Sequence, residues 1–386
     1  MSIILGFIIL ISAVALLHPY TTYPCSLVLI GKFRKCSTEL EPEDVADAAD
    51  AAVRFSILFC CYNEADSLPS KLNNLKAISI KYPACEILAY ADGCTDDTVR
   101  ILKEHSLYVT LIVGQKRKGK SYGMKTLTRK AKGDFFIMTD ANVIVSVEGI
   151  ESALTALENS SVGVVCGRLE YVNSSASITA NVGVTYWNWE ERLKQLESQT
   201  GSTMGADGSL FAIKSDLYRE APVDIIDDFF TSMSAIFQGS LVRTNHEFMA
   251  YEKSAETSKD EFQRKIRISN RAYNCHIYMK KSLQQMSLLN KYKYYSHKFI
   301  RWHTFTFVLL ILICSIVWLG AVLTIMQMAK LLLVWLGLCL VVGLIFRVFA
   351  KRLFESLLLV VAVWFGVVLA MLGRKFVTWE IAKSSR

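Results

Sequence analysis

Long apolar runs at both ends of this 386-residue chain limit its possible folds more than any other feature. The N-terminal run covers residues 3–17 and is extended by residues 26–30, and three C-terminal runs cover residues 304–328, 331–346 and 353–372. A helix needs about 20 apolar residues to cross a bilayer. The runs therefore predict a polar middle region held by one N-terminal and up to three C-terminal membrane helices.

Charges next to these runs predict the topology. Lys32, Arg34 and Lys35 follow the first run, and basic residues are enriched on the cytoplasmic side of membrane helices, so the middle region is expected in the cytoplasm. The first run lacks the basic start and cleavage site of a signal peptide and is expected to be retained. The basic tail 373–386 is also expected inside. Three full C-terminal spans would place it outside, so the shortest run, 331–346, is expected to be re-entrant or interfacial.

Composition agrees with a soluble domain joined to membrane segments, because 52% of the residues are apolar and 20% are charged. The formal net charge of +8 suits contact with anionic lipid and phosphorylated substrates. A nucleic-acid partner is not expected, because the sequence lacks a stripe of alternating basic and aromatic residues. The ten cysteines lack metal-binding or redox spacing and are expected to be reduced and buried.

The predicted division is an anchor (1–30), an acidic linker (31–54), a cytoplasmic domain (55–278), an amphipathic interfacial segment (279–303), membrane or re-entrant helices (304–372) and a basic tail (373–386).

The first part of the cytoplasmic domain alternates short apolar stretches with helix-like stretches. Strands are predicted over residues 55–60, 86–90, 108–113 and 135–139, and helices are predicted to begin near Asp66, Thr95, Ser121 and Ser146. This alternation is typical of an α/β fold with a mostly parallel sheet and helices on both faces.

Polar residues follow each predicted strand. The four strands run into Tyr62-Asn63-Glu64, Asp92-Gly93, a loop with Lys118 and Lys120, and Asp140-Ala141-Asn142. Each cluster alone could be turn chemistry, but ligands of such sheets bind beyond the carboxyl ends of the strands. A carboxylate and a second oxygen ligand at i and i+2 also suit a hard cation that holds a diphosphate. Together the clusters predict a nucleotide site.

Residues Gly114 to Ser121 also match the phosphate-binding loop of nucleoside triphosphatases, with Asp140 as an acidic partner. A membrane NTPase is therefore an alternative function. It is the weaker alternative, because three consecutive basic residues, 116–118, stand where a phosphate cradle exposes backbone amides.

Taken together, these motifs resemble those of the membrane-embedded family 2 inverting glycosyltransferases, which include the cellulose, hyaluronan and poly-N-acetylglucosamine synthases. The resemblance covers residues 55–271 and the flanking membrane helices. It depends on Tyr62-Asn63-Glu64, Asp92-Gly93, Gly119-Lys120, Asp140-Ala141-Asn142, Gly205-Ala206-Asp207-Gly208 and Asp227-Asp228. It implies an α/β, Rossmann-like nucleotide-sugar-binding domain of the GT-A type, flanked by transmembrane helices.

The resemblance also implies roles for the donor-site residues. Asp140 and Asn142 stand where the family has its metal-binding Asp-x-Asp, which implies Mg²⁺ or Mn²⁺ on the donor phosphates. Asn142 is neutral where a carboxylate is common, so weak and exchangeable metal binding is expected. The remaining implied donor contacts are Tyr62, Asn63 and Glu64 around the nucleotide, Asp92 at the base or ribose, Lys118, Lys120, Arg264 and Arg267 at the diphosphate, and Asp207 near the donor sugar or acceptor.

Two adjacent acids are the implied catalytic residues. Asp227-Asp228 follows Ile226 where the family has Thr-Glu-Asp, which makes Asp228 the general base of a single in-line displacement. Asp227 would position Asp228 or contact the acceptor. The pair could instead form only the acidic first turn of a helix, and both interpretations can hold together.

One departure from the family concerns product length. Processive members carry Gln-x-x-Arg-Trp, whereas residues 264–268 are Arg-Lys-Ile-Arg-Ile, which keeps the arginine and lacks the tryptophan. We therefore expect a metal-dependent enzyme that transfers a sugar, preferably from a UDP-sugar, to a lipid-linked or glycan acceptor. The resemblance places this reaction at the bacterial inner membrane, in cell-surface polysaccharide or glycolipid synthesis. A processive synthase-translocase and an inactive membrane scaffold are the remaining alternatives.

Overall fold

The computed structural model describes residues 2–33, 54–173, 177–253 and 257–378. Most of the predicted acidic linker and the end of the basic tail therefore lie outside the described residues. The strands are β1 (Phe55–Cys61), β2 (Glu86–Asp92), β3 (Thr110–Gly114), β4 (Phe135–Thr139), β5 (Ile144–Val145), β6 (Val162–Tyr171), β7 (Leu210–Lys214) and β8 (Leu241–Glu252).

These strands form one sheet in the order β3-β2-β1-β4-β7-β6-β8-β5. The four predicted strands are confirmed, and they pair in parallel, β1 with β2 and β4, and β2 with β3. The other strands add antiparallel pairings of β7 with β4 and β6 and of β5 with β8, together with a parallel pairing of β6 with β8. The sheet is therefore mixed, and the expectation of a mostly parallel sheet holds for its first half only.

Helices cover the sheet and continue into the apolar ends. They are α1 (Ser2–Leu17), α2 (Thr22–Phe33), α3 (Leu68–Lys81), α4 (Thr98–Glu104), α5 (Lys120–Thr128), α6 (Gly149–Glu158), α7 (Ile178–Gln199), α8 (Asp227–Phe237), α9 (Ser258–Leu283), α10 (Leu288–Tyr294), α11 (Ile300–Trp302), α12 (Thr304–Val322), α13 (Ile325–Ile345) and α14 (Arg347–Met371). The four predicted helices begin at Leu68, Thr98, Lys120 and Gly149, each within three residues of the expected position.

The core lies on both faces of the sheet because side chains alternate along each strand. On β1, Leu58 and Cys60 belong to one buried apolar cluster, and Ile57 and Phe59 belong to the other. All seven residues of β1 are buried, which explains why this strand is apolar apart from Ser56.

Three described helical segments are long and apolar enough to cross a membrane: Ser2–Tyr20, Thr304–Ala321 and Phe349–Met371. Within α13, Met326–Leu338 forms a shorter apolar helix. The first and the two long C-terminal runs thus agree with the predicted membrane helices.

The chain after α14 returns to the domain that contains the sheet. Lys375 forms an ion pair with Asp224 at 2.6 Å, and the side-chain amides of Asn270 and Asn274 donate to the carbonyl oxygen of Arg374. The start of the basic tail therefore packs against this domain, and its predicted cytoplasmic side stays a prediction.

Candidate active site

The two predicted catalytic acids begin helix α8. Asp227 and Asp228 are 7% and 9% exposed, and the backbone N–H of Phe229 donates to Asp228 Oδ1 at 2.6 Å. Burial, and then the neighbouring Asp227, raises the pKa of Asp228 to about 7, although Lys120 acts in the opposite direction. A carboxyl group with a pKa near neutrality suits proton transfer at physiological pH.

Lys120 joins these acids to the predicted metal motif. Its Nζ contacts Asp140 Oδ1 at 2.6 Å and donates to the carbonyl oxygen of Gly208 at 3.3 Å. Burial opposes the charge on Lys120, but Asp140, Asp227 and Asp228 more than offset it and raise its pKa. Lys120 is therefore a fixed cation between the two acidic groups.

The predicted metal motif lies directly after β4 and contacts the end of β8. Asn142 Nδ2 donates to Glu252 Oε1 at 3.0 Å. Burial, and then Asp140, raises the pKa of Glu252 to about 7, while Arg264 lowers it. Among the described residues, no three His, Cys, Asp or Glu side chains are grouped to hold a metal ion. Asp140 and Asn142 nevertheless supply hard oxygen donors of the type that Mg²⁺ and Mn²⁺ prefer.

The loop that contains Lys118 and Lys120, here called the lysine-rich loop, is held by Asp92. Asp92 is fully buried, and its two carboxylate oxygens accept the backbone N–H groups of Lys118 at 2.7 Å and Gly119 at 2.8 Å. Gly119 has a φ of +93°, which favours glycine. Asp92 therefore positions the loop in this structure, and its predicted contact with a base or ribose stays a prediction.

The loops after β1 and β2 are tied together at the same end of the sheet. Asn63, with a φ of +51°, exchanges hydrogen bonds with Thr95, and the guanidinium of Arg117 lies 3.6 Å from the ring centroid of Tyr62. Glu64 is buried and accepts from Ser67 Oγ at 2.6 Å. These contacts fix the conformation of the loops that are predicted to bind the nucleotide.

Helix α9 presents three arginines on one face. Arg264, Arg267 and Arg271 are spaced i, i+3 and i+7, and all three line the same cavity. Arg264 pairs with Glu261 at 3.2 Å. Burial, then Arg271 and Arg264, lowers the pKa of Arg267 to about 10, so Arg267 stays charged among other cations. Such a cluster is suited to an anion with several oxygens.

Asp207 is held by a buried lysine of α7. Lys194 Nζ contacts Asp207 Oδ2 at 2.9 Å and Glu191 Oε1 at 2.6 Å, and Ser209 donates to Asp207 Oδ1. A Cβ on the neighbouring Gly208 would lie 2.6 Å from Asp228 Oδ2, so that side chain would have to shift. Glycine at this position therefore allows the Asp207 loop to approach the predicted catalytic acids.

The segment predicted to be interfacial also packs against α7. Glu197 Oε1 contacts the hydroxyl of Tyr23 at 2.5 Å and His297 Nδ1 at 2.8 Å, and Glu190 contacts His297 Nε2 at 2.8 Å and Arg301 Nη1 at 2.6 Å. Burial raises the pKa of Glu197, but His297 and the hydrogen bonds outweigh it and lower that pKa to about 2. This buried network joins α2, α7 and the residues before α12.

One cavity of about 1490 Å³ is lined both by the predicted catalytic acids and by α14, a candidate membrane helix. The predicted site residues that line it are Glu64, Lys120, Asp140, Asn142, Asp207, Asp227, Asp228, Arg264 and Arg267. On another side, α14 contributes Leu359, Val360, Val363 and Leu369. Tyr62, Asn63, Asp92 and Lys118 do not line this cavity and form the adjacent loops.

Comparison with known proteins identifies the domain. Residues 56–221 match the family model described as glycosyl transferase family 2. These residues form a family 2 glycosyltransferase domain. The match includes the loops after β1, β2 and β4, and it agrees with the resemblance expected from the motifs.

Curated proteins similar to this domain match it over part of their length. The poly-beta-1,6-N-acetyl-D-glucosamine synthase of Staphylococcus aureus strain MSSA476 is 23% identical over 174 residues, which are 44% of this chain and 40% of that protein. The synthase of Staphylococcus epidermidis strain ATCC 35984 is 23% identical over 171 residues, 43% of this chain and 40% of that protein. The chain thus matches less than half the length of these relatives.

A solved structure confirms the fold over nearly the whole chain. The mannosyltransferase PcManGT from Pyrobaculum calidifontis, in complex with GDP-Man and Mn²⁺, has a TM-score of 0.70 at 18% identity. The alignment covers 96% of this chain and 99% of that one. The domain therefore has the Rossmann-like GT-A fold that the sequence predicts.

Sequence reasoning missed three groups at the site. The spacing of Arg271 from Arg267 was a visible signal, since both fall on one helix face. Lys194 and Glu252 carried no local signal, because they reach the site only through the packing of α7 and the end of β8.

Proposed function

We propose that the protein transfers a sugar from a nucleotide-diphosphate sugar to a lipid-linked acceptor at the membrane, with inversion of the anomeric carbon. The observation that carries this proposal is the single cavity that runs from Asp228 and Arg267 to the apolar side chains of α14. Such a cavity suits an acceptor with a polar reactive end and an apolar tail.

The cationic side of the cavity supports a diphosphate donor. Lys120 and Arg267 lie near Asp140, and guanidinium and ammonium groups together neutralise phosphate oxygens well. PcManGT was solved with GDP-Man, and the synthase relatives are named for N-acetylglucosamine polymers. A UDP-sugar remains our proposed donor, with a GDP-sugar as the tested competitor.

The donor residues fit a divalent cation. Asp140 already holds a cation, the Lys120 ammonium, at 2.6 Å, and Asn142 lies two residues further along the same loop. Bound Mg²⁺ or Mn²⁺ would neutralise charge on the leaving nucleoside diphosphate. Asp140 and Asn142 are the proposed ligands, and Lys120 would then move its contact to the phosphates.

Asp228 is the proposed general base. Its carboxylate takes the proton of the attacking acceptor hydroxyl while the oxygen forms the new bond to the anomeric carbon and the nucleoside diphosphate leaves from the opposite face. Asp227 keeps the pKa of Asp228 raised, and Lys194 holds Asp207 beside the reacting groups.

The contacts of one loop argue against the NTPase alternative. A phosphate cradle needs outward-facing backbone amides, yet the amides of Lys118 and Gly119 donate to Asp92.

The membrane setting follows from the apolar helices. The proposed location is the bacterial inner membrane with the catalytic domain in the cytoplasm, where nucleotide sugars are made. Addition of one or a few sugars is favoured over processive synthesis, because Ile268 lines the cavity where processive enzymes have a tryptophan.

The test measures nucleoside diphosphate release by the full-length protein in nanodiscs with Mn²⁺ or Mg²⁺. A panel of UDP- and GDP-sugars is offered with a bacterial lipid extract as acceptor, and Asp228→Asn serves as the control. Release from one donor that needs metal and is lost in Asp228→Asn is the expected result. Hydrolysis of ATP or GTP that depends on Lys120, with no sugar donor consumed, would refute the proposal.

A further inference from the structure

We propose that Glu252 compensates for the neutral Asn142 in the Asp140-Ala141-Asn142 motif in two ways. Its carboxylate adds a negative charge beside the motif, and its hydrogen bond orients the oxygen of the Asn142 amide toward the donor-site cation. Glu252 is therefore a positioning residue for metal binding. This inference rests on the proposed function, since it concerns the cation of the same site.

The backbone fixes the two side chains together. The metal motif is followed at once by β5, and β5 pairs with the end of β8 in the register Ile144 to Tyr251. Asn142 lies two residues before Ile144, and Glu252 lies one residue after Tyr251. The contact of Asn142 Nδ2 with Glu252 Oε1, at 3.0 Å, therefore follows from strand pairing and not from two mobile surface side chains.

The chemistry of the pair determines which atom of Asn142 faces the ion. In the structure the Asn142 amide presents its NH₂ group to Glu252, whose Oε1 accepts the hydrogen bond. The amide oxygen is then directed away from Glu252. Since Asp140, Asn142 and Glu252 all line the cavity, that oxygen is available to a cation held by Asp140.

The charge of the site then equals that of an Asp-x-Asp motif. Asp140 and Glu252 provide two carboxylates, with the amide between them as a neutral ligand. Partners that orient a metal ligand usually change metal affinity about 10- to 100-fold when they are removed. Without Glu252 the motif would keep one carboxylate, and that carboxylate is shared with Lys120.

A charge-relocation experiment tests this inference. Mn²⁺ binding to the full-length protein in nanodiscs is measured by calorimetry, with metal alone and no nucleotide, for the wild type, Glu252→Gln and the double variant Asn142→Asp/Glu252→Gln. The double variant returns the lost carboxylate to the usual position of the motif. Glu247→Gln is the matched control, because Glu247 is an exposed acid on the same strand.

We expect Glu252→Gln to bind Mn²⁺ about 10- to 100-fold more weakly than the wild type. The double variant should regain wild-type Mn²⁺ affinity, and Glu247→Gln should have unchanged Mn²⁺ affinity. Size-exclusion elution and the thermal midpoint show whether each variant is folded.

Other results overturn the inference. Unchanged affinity in Glu252→Gln would show that Glu252 does not act on the cation. Weaker affinity that Asn142→Asp does not restore would assign Glu252 a purely structural role. If no sugar donor turned over while the Mn²⁺ affinities followed the expected order, the proposed function would fail and the metal inference would stand. Donor turnover without any Mn²⁺ binding would support the sugar transfer and refute the metal inference.

Discussion

The pH dependence of turnover tests the role of Asp228 directly. Burial and the adjacent Asp227 raise the pKa of this carboxyl to about 7. A general base must be deprotonated to act, so activity should fall as the pH falls through this value. For a pKa of about 7, the deprotonated fraction is about 91% at pH 8 and about 9% at pH 6, and kcat/KM should fall about tenfold. An aspartate with its ordinary pKa would give a flat profile over this range.

The assay is nucleoside diphosphate release at low donor concentration and saturating Mn²⁺, because kcat/KM reports on the free enzyme. Asp227→Asn removes a charge that raises the pKa of Asp228, so the acid limb should move to lower pH. Lys120 lowers this pKa and Asp207 raises it, and neither is changed in this comparison. Glu252 also has a pKa near 7, so Glu252→Gln is measured in parallel and should keep the limb. A flat profile between pH 6 and 8, or a limb that moves only in Glu252→Gln, would refute the assignment.

Three further predictions concern the binding of the donor phosphates by Arg267, the packing of α14 on α9 and the buried network around Glu197. Arg267→Ala should raise the donor KM at least tenfold, because a charged hydrogen bond to phosphate contributes about 1.5–3 kcal/mol. Arg267→Lys should recover part of this loss. An unchanged KM in Arg267→Ala would show that Arg267 does not contact the donor. Gly366→Ala should lower the thermal midpoint and activity, because a Cβ there would strike α9, whereas Gly337→Ala, which meets nothing within 4 Å, should not. Glu197→Gln should destabilise the protein by up to about 3–5 kcal/mol, since it breaks a buried charged network; equal midpoints for this variant and the exposed control Glu158→Gln would contradict that reasoning.

Local patterns predicted the first half of the sheet well. Strands β1, β2 and β4 are short apolar runs that end in polar turns, and their parallel pairing follows from the helices between them. Strands β6, β7 and β8 were not predicted, because their pairings join residues far apart in the chain. A mixed sheet of this kind depends on tertiary contacts that no window of local sequence contains.

The site divides in the same way. Asp140, Asp228 and Arg267 were predicted from short motifs, and the structure places all three on one cavity. Asp92 shows the limit of a motif, since the sequence shows an acid after a strand, but only the structure shows its oxygens bonded to the amides of the lysine-rich loop.

The sequence by itself determined the apolar helices that are long enough to span a membrane, the α/β class and the identity of the acidic and basic groups. Apolar length, strand-helix alternation and strand-end chemistry are all local properties. The tertiary structure decided which charges meet. Glu252 reaches Asn142 through the pairing of β5 with β8, and Lys194 reaches Asp207 through the packing of α7. The tertiary structure also brings α14 to the cavity, because α14 packs against α9 at Gly366. Each of these contacts joins residues that are distant along the chain, and only the folded backbone fixes the distance between them.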